Sequence, residues 1–396
     1  MEHYLTKIMI DNVRNLNNLV INLPSDHRKH LILTGKNGSG KTSVLEAIEA
    51  YIEAVNNKLI NEFNRIAQSI LNGNVIRDFE YELYGKYYQG IRVEWNNESD
   101  VESLFKDGNL ITAYFAADRK YNIEPVKGVE NIKLETAYKS TADPAAKLLK
   151  YMVHLKTQQS YAQNENDDQI RINISQWFDR FENALKQLLD DDTISLKYDY
   201  RDYNFLIIQE GKKPYGFNAL SDGYSSVIRI VSDLIMRMDQ NWLLNGALSE
   251  YDKEGVVLID ELETHLHIEL QRKILPFLTT FFPRLQFIVT THSPYVLTSV
   301  DNALVYDLEK HIEITNPTMY SPEDIAEGYF DAENYSVEIL KMMDRLRELS
   351  GRQDLTEDER AERADLRLRL KNSKGQLAVD IQNELESLEG MANGQV

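Results

Sequence analysis

Cysteine is absent from all 396 residues, which excludes disulfides, iron–sulfur clusters and cysteine-based zinc sites and agrees with a reducing compartment. No apolar run reaches the roughly 18 residues that a membrane span requires. The polar start Met1-Glu2-His3-Tyr4 has no signal-peptide apolar segment. A cytoplasmic location with no membrane partner is therefore expected. Basic residues are in deficit, 44 Lys and Arg against 63 Asp and Glu, for a net charge of −19. Neutralising nucleic-acid phosphates takes clustered Lys and Arg, so the balance opposes nonspecific nucleic-acid binding, although a local basic groove is compatible with it. What remains is an ordinary globular composition, with 42% apolar residues and length enough for about two to three domains.

Against this background, Gly35-Lys36-Asn37-Gly38-Ser39-Gly40-Lys41-Thr42 stands out. It matches the phosphate-cradling pattern G-x-x-x-x-G-K-[ST]. The apolar run Leu31-Ile32-Leu33 before it reads as a buried strand, and Val44, Leu45, Ile48 and Ile52 after it have helical spacing over Ser43 to Ala54. In such a loop Gly38, Ser39, Gly40, Lys41, Thr42 and Ser43 surround a nucleotide. Backbone N–H groups close on the β-phosphate, Lys41 adds positive charge toward the β and γ oxygens, and Thr42 offers a hydroxyl to Mg²⁺. ATP and Mg²⁺ are the expected cofactors.

The stretch Gly255-Val256-Val257-Leu258-Ile259-Asp260-Glu261 is an apolar strand that ends in two carboxylates. A fully buried strand of a parallel sheet delivers such residues to the carboxyl edge, where a phosphate-binding helix terminus also lies. Asp260 would then hold Mg²⁺ through water, and Glu261 would orient and polarise the attacking water as general base. Upstream, in Leu220-Ser221-Asp222-Gly223-Tyr224, Ser221 or Asp222 caps an apolar helix whose N-terminus is either an ordinary cap or an anion site. Downstream, Leu285 to Thr290 reads as a buried strand. Ser293 as N-cap and Pro294 at the first helical position predict a sharp turn that leaves His292 at the strand tip.

In this order the four motifs make the chain resemble the ABC-type ATPase heads of the SMC, Rad50, RecF and OLD-like group, over about Leu5 to Leu71 and Tyr198 to Leu308. The resemblance implies an α/β P-loop head with a mixed sheet. It also implies a self-association in which Ser221 and Gly223 touch the γ-phosphate held by another protomer, so an ATP-dependent homodimer, alone or within a higher oligomer, is expected. Glu261 resembles the family's catalytic glutamate, His292 its γ-phosphate-sensing histidine, and Asn37 a polar nucleotide contact of Rad50-like heads. Arg14 sits where related heads carry an arginine near the nucleotide, with a surface salt bridge as the equal alternative. Asp222 and Tyr224 depart from the family's signature. None of Gln68, Gln89 and Gln158 has a convincing strand before it as the nucleotide-sensing glutamine.

The gap from Thr42 to Leu220 is far too short for the long coiled-coil arm of SMC and Rad50 proteins. Within it, Gly90 to Trp95 and Asn109 to Ala116 read as strands, and Ala145 to Gln159 and Ile172 to Leu189 as helices. The polar segment Gln163 to Asp168 reads as a mobile loop. Arg119, in Ala116-Ala117-Asp118-Arg119-Lys120, reads as an ion-pair member, with approach to the nucleotide or a partner as the alternative. In Glu261-Leu262-Glu263-Thr264-His265-Leu266-His267 a helix is expected after Thr264, so His265 and His267 would not share a face for a metal. The resemblance to OLD-like ATPases makes Glu263 and His265 interface residues. After Leu308 a helical hairpin is expected: Ser336 to Leu349, then a helix opening on a Thr356–Glu359 capping box with the stripe Leu366, Leu370, Leu377, Ile381, Leu385 and Leu388. That stripe suits packing on the head or assembly with itself or a partner helix. The expected organisation is an ATPase lobe at 1–72, an insertion at 73–215, a second ATPase lobe at 216–310 and a helical tail at 311–396.

The tail is too short and too helical for the Toprim nuclease domain that follows the head in OLD nucleases. The resemblance is therefore strongest to the stand-alone ATPase subunits of bacterial anti-phage systems of the PARIS (AriA-type) and Septu kinds. It implies a separate effector protein, a nuclease or toxin, under the control of this ATPase, with a phage-encoded trigger. A DNA-clamping repair ATPase of the RecF or Rad50 kind is the alternative.

Overall fold

The computed structural model describes residues 2–56, 89–119, 123–239, 253–330, 337–352 and 354–371. The chain begins with the hairpin β1 (Leu5–Val13) and β2 (Leu16–Asn22), followed by β3 (His30–Thr34) and α1 (Lys41–Asn56). Then come β4 (Ile91–Trp95), α2 (Val101–Lys106), β5 (Leu110–Phe115) and the helix pair α3 (Leu148–Asn164) and α4 (Asp168–Leu189). A small meander, β6 (Ser195–Asp199), β7 (Asn204–Ile208) and β8 (Tyr215–Gly216), leads into α5 (Asp222–Met238). Next are β9 (Glu254–Ile259), α6 (Ile268–Phe281), β10 (Leu285–Thr290), the one-turn α7 (Pro294–Leu297), β11 (Ala303–Asp307) and β12 (Ile312–Ile314). The chain divides into two compact units, 1–322 and 323–396. Helix α8 (Pro322–Phe330) begins at the boundary, and the second unit holds α9 (Val337–Ser350) and α10 (Glu357–Lys371).

The site is organised by a six-stranded sheet of order β12-β11-β3-β10-β9-β5. Every pairing in it is parallel except that of the edge strand β12 with β11. β3, β9, β10 and β11 are buried at every position, as expected of strands covered on both faces, and this is why their sequences are apolar runs without alternation. Parallel strands put their carboxyl ends on one edge. The phosphate loop after β3, the carboxylates after β9 and the histidine after β10 therefore share an edge by topology alone. A second, antiparallel sheet, β2-β1-β4, shares one apolar core with the first through α1, whose Val44, Leu45, Ile48 and Ile52 are fully buried. Gln286 of β10 fastens the two sheets: its side chain accepts from Leu5 N (2.7 Å) and donates to Leu5 O (3.0 Å) and Lys29 O (2.9 Å).

The α/β class, the mixed sheet, the helical insertion and the C-terminal helical hairpin expected from the sequence are all present. Trp177, Phe178, Phe181 and Leu185 of α4 are buried, with Trp177 stacked on Phe181 at 5.4 Å. The segment between α3 and α4 differs from its reading. Gln163 to Asp168 is not a six-residue loop, because α3 runs to Asn164 and α4 starts at Asp168. Asp167 accepts from Ile170 N (3.1 Å), so the side chain that suggested a loop caps a helix instead. Between β5 and α3 the chain is held by Arg237 of α5, which donates to the carbonyls of Thr112, Lys139, Ser140 and Ala142 and pairs with buried Asp233 one turn earlier.

Within the second unit, Thr356 and Glu359 form the expected reciprocal cap: Thr356 N donates to Glu359 Oε2 (2.9 Å) and Glu359 N to Thr356 Oγ1 (3.3 Å). Leu370 is buried against Met343 and Leu346, with Leu366 beside them, so the described part of the leucine stripe forms the hairpin's own seam. Leu377, Ile381, Leu385 and Leu388, with Gln68, lie outside the described residues.

His30 opens β3 beside Phe287, whose N–H donates to its Nδ1 (3.0 Å), and burial holds the imidazole down at about 4. A depressed histidine leaves the folded state binding fewer protons than the unfolded chain, so its contribution is complete above the ordinary value near 6.5 and lost as pH falls toward 4. His30→Gln keeps an acceptor for Phe287 and cannot titrate. Urea unfolding at pH 7 and pH 4 should show the variant losing about 3 kcal/mol less stability than wild type over that interval.

Candidate functional site

The phosphate loop turns sharply at three glycines in the left-handed half of backbone space, Gly35 (φ 130°), Gly38 (φ 85°) and Gly40 (φ 99°). A Cβ on Gly35 would meet Ser39 Oγ at 3.0 Å and the backbone N of Glu309 at 3.2 Å. Lys41 is buried, and its ammonium donates to Gly35 O (2.8 Å) and Lys36 O (3.2 Å). Burial pushes this ammonium below its usual range, while Glu261, Glu263, Asp260 and Asp307 draw it back up. Thr42 is exposed at the start of α1, where the first-turn N–H groups have no intrahelical acceptors. Asn37 and Gly38 are exposed on the loop, and Ser39 and Ser43 are half-buried on either side of buried Gly40 and Lys41.

The Thr42 hydroxyl donates to Asp260 Oδ2 (2.9 Å) across the sheet edge. Asp260 is buried, and its other oxygen accepts from Thr290 Oγ1 (2.6 Å), the last residue of β10. Thr290 Oγ1 in turn accepts from Glu261 N (2.7 Å). Hydroxyl and carboxylate oxygens side by side are the hard donors that Mg²⁺ prefers, as are nucleotide phosphates and water. No group of three His, Asp or Glu side chains able to hold a metal by themselves exists among the described residues. The donor set therefore fits a metal that arrives with a phosphate ligand.

Glu261 has φ 45°, a left-handed conformation that costs a non-glycine residue about 1–3 kcal/mol and persists only where its surroundings impose it. Its carboxylate Oε2 accepts from Thr264 Oγ1 (3.2 Å). His292, beyond β10, has its Nε2 buried without a partner among the described residues, and its backbone N–H donates to Glu263. Burial, and then the charge of Lys41, hold its imidazole below the usual range. Ser293 accepts from Tyr295 N (3.2 Å) with Pro294 at the first helical position, which is the sharp turn read from the sequence.

Arg119 corrects its reading as an ordinary ion-pair member. It is buried, and its donors go to Ser226 Oγ on α5 (3.0 Å) and to the carbonyls of Ala116 (3.2 Å), Asp260, Glu261 (2.9 Å) and Leu262 (3.4 Å). Burial pushes the guanidinium down to about 10, so it stays charged at neutral pH. A second correction concerns the turn after Glu261. The helix expected after Thr264 starts later: residues 260–266 curl in turns with His265 at φ 66°, and α6 begins at Ile268 with His267 as N-cap. His265 and His267 thus fail to share a helix face because neither lies inside a helix.

Ser221 is the N-cap of α5, and its side chain makes no capping bond. With Gly223, Tyr224, His265, His267 and Glu269 it lines a recess of about 530 Å³ whose lining includes no residue of the phosphate loop. Gly223 has a role inside its own chain: a Cβ there would lie 2.6 Å from His265 O, so α5 presses its first turn against the curled loop. Arg14 is exposed at the β1–β2 turn (φ 51°) and has no ion pair among the described residues. The turn stands next to the phosphate loop, since a Cβ on Gly40 would reach Leu16 Cδ1 at 3.3 Å. Gln89 is exposed before Gly90 and Gln158 lies on α3. Lys41, Thr42, Asp260, Glu261 and His292 come together; Ser221 and Gly223 line the recess, with Gly223 against the turn that follows Glu261. Thr290 and Arg119 are the members that motif reading missed.

Three comparisons bear on this geometry. A family profile described as "AAA domain, putative AbiEii toxin, Type IV TA system" matches residues 31–298. The chain is 26% identical over 306 residues to the Septu protein PtuA of Bacillus mycoides (strain KBAB4), covering 75% of this chain and 39% of that protein. It is 38% identical over 116 residues to a Vibrio cholerae (serotype O1 biovar El Tor) protein named "Retron Vc95 probable ATPase", covering 28% of this chain and 22% of that one. The chain thus spans well under half the length of either relative. Among solved structures, the SMC head domain from Thermotoga maritima aligns with a TM-score of 0.37 and 13% identity, over 76% of this chain and 94% of that one.

Replacing Gly223 by alanine should force α5 and the 261–266 turn apart. A melting curve of the nucleotide-free protein is expected to show a loss of about 1–3 kcal/mol, the usual cost of overpacking. An unchanged melting temperature would mean that the contact yields freely.

Proposed function

The chain belongs to the AAA-domain family of ATPases matched over residues 31–298, and on that basis we propose that it binds Mg·ATP and hydrolyses it to ADP and phosphate with the residues gathered at the carboxyl edge of the six-stranded sheet. The observation that carries the reading is the hydroxyl–carboxylate contact of Thr42 with Asp260, which joins the phosphate loop to the strand-end carboxylates and places Glu261 next in sequence. The loop amides and Lys41 would hold the β and γ phosphates, with Asn37, Ser39 and Ser43 beside them and Arg14 at the rim. Thr42 and Asp260 would hold Mg²⁺, which when bound neutralises phosphate charge. Glu261 would take the proton of the attacking water, and Nε2 of His292, unpartnered among the described residues, would meet the γ-phosphate.

The reading continues to assembly. Ser221 and Gly223 line a recess that takes in no residue of the phosphate loop, which supports their use on a nucleotide held by a second copy in an ATP-dependent homodimer or a higher oligomer. The names of the curated relatives, a Septu protein and a retron ATPase, support a role in anti-phage defence, in which the nucleotide state of this ATPase controls a separate effector, a nuclease or toxin. Under this reading hydrolysis is slow and regulatory.

Two outcomes test it. Lys41→Ala should abolish binding of a fluorescent ATP analogue, whereas Glu261→Gln should bind it as wild type does and lose roughly 10²–10⁴-fold in steady-state phosphate release; equal turnover of wild type and Glu261→Gln rules out the assigned base. Ser221→Arg should leave nucleotide affinity intact and prevent the ATP-induced increase in mass seen by light scattering. If wild type and Ser221→Arg reach the same mass with ATP, the signature does not act across an interface.

A further inference from the structure

The guanidinium of Arg119 has five N–H groups, and all five find acceptors on elements that the proposed mechanism needs in register. Three acceptors are the successive carbonyls of Asp260, Glu261 and Leu262. Successive carbonyls converge on one point only when the chain curls, and the left-handed φ of Glu261 is that curl. Three converging carbonyl dipoles repel one another unless a cation sits at their focus, which the buried guanidinium supplies. The fourth acceptor, Ala116 O, belongs to the extension of β5, where Asp260 N also donates to Phe115 O (2.8 Å). The fifth is Ser226 Oγ, just beyond the first turn of the helix capped by Ser221, whose Gly223 already abuts His265 O in the same curled loop.

We propose that Arg119 is a positioning residue that fixes the backbone of Asp260–Leu262, and through Ser226 makes the orientation of Glu261 depend on the placement of helix α5. Arg119 is not among the residues that line the recess, and it acts on the reaction through the carbonyl of the residue that bears the base. Helix α5 and the catalytic loop then move as one body, so a contact that shifts the Ser221 end of α5 is transmitted to Glu261 without a rearrangement of the sheet. The inference rests on Glu261 being the water-activating base.

The test separates positioning from folding by reading binding and turnover independently. Arg119→Lys keeps the charge but has three donors on one point and cannot satisfy five divergent acceptors. It is expected to bind the fluorescent ATP analogue within about threefold of wild type while kcat falls on the order of 10²-fold, the usual penalty for about 1 Å of misplacement. Ser226→Ala, which leaves the guanidinium and the loop carbonyls in place, should lower kcat roughly three- to tenfold with affinity unchanged. The double variant should be no slower than Arg119→Lys alone, because the two residues act through one contact. Wild-type kcat in a folded Arg119→Lys protein overturns the proposal. So does additivity of the two substitutions, or a parallel loss of affinity, kcat and melting temperature in Ser226→Ala. If Arg119→Lys does not fold, the Ser226→Ala split between kcat and affinity decides alone. Absence of ATP hydrolysis in wild type would instead remove the reading of Glu261, so the two failures are distinguishable.

Discussion

Everything at the sheet edge depends on one carboxylate that accepts two hydroxyls. Asp260 takes the Thr42 hydroxyl on one oxygen and the Thr290 hydroxyl on the other, so helix α1, strand β9 and strand β10 are drawn to a single buried point. Buried carboxylates are costly unless their lone pairs are used, and here both oxygens are used by neutral donors that a metal can join or displace. Neighbouring groups are tied to that point in turn. Thr290 passes the constraint to the amide of Glu261, Glu263 passes it to the amide of His292, and the charge of Lys41 lies close enough to both residues to affect their electrostatics.

The parts legible in the sequence are those whose chemistry is local in the chain. The phosphate loop needs its glycines, lysine and threonine at fixed spacing. The buried strands announce themselves by uninterrupted apolar runs, so the residue just past each run is at the sheet edge, as Asp260, Glu261 and His292 are. Ser293-Pro294 and Thr356–Glu359 were readable for the same reason, since a cap is a contact between near neighbours.

Arg119 was not readable because four of its five acceptors are backbone carbonyls, which leave no residue type for a pattern to register, and three of those lie more than 140 residues away. The reason for Gly223 was hidden likewise. The sequence offers a glycine in a signature-like setting, whereas the approach of His265 O within the chain is a property of the packed structure. The turn after Glu261 defeated helix reading because two non-glycine residues, Glu261 and His265, are held at positive φ by contacts that only the tertiary structure supplies. The polar run at 163–168 misled in the opposite direction: Asn and Asp favour loops and caps alike, and only the next turn of helix distinguishes them.

The strand order has a consequence for how the molecule is made. β3, which carries the phosphate loop, pairs on one side with β10 and on the other with β11, strands that begin at Leu285 and Ala303. Both hydrogen-bonding edges of β3 stay open until those residues have left the ribosome, and at about 5–20 residues per second that wait is on the order of tens of seconds. The nucleotide-binding loop is therefore synthesised well before either of the strands that flank β3 in the sheet. An apolar strand with two bare edges is a template for mispairing, so the interval before β10 and β11 emerge is when β3 is most exposed to wrong partners.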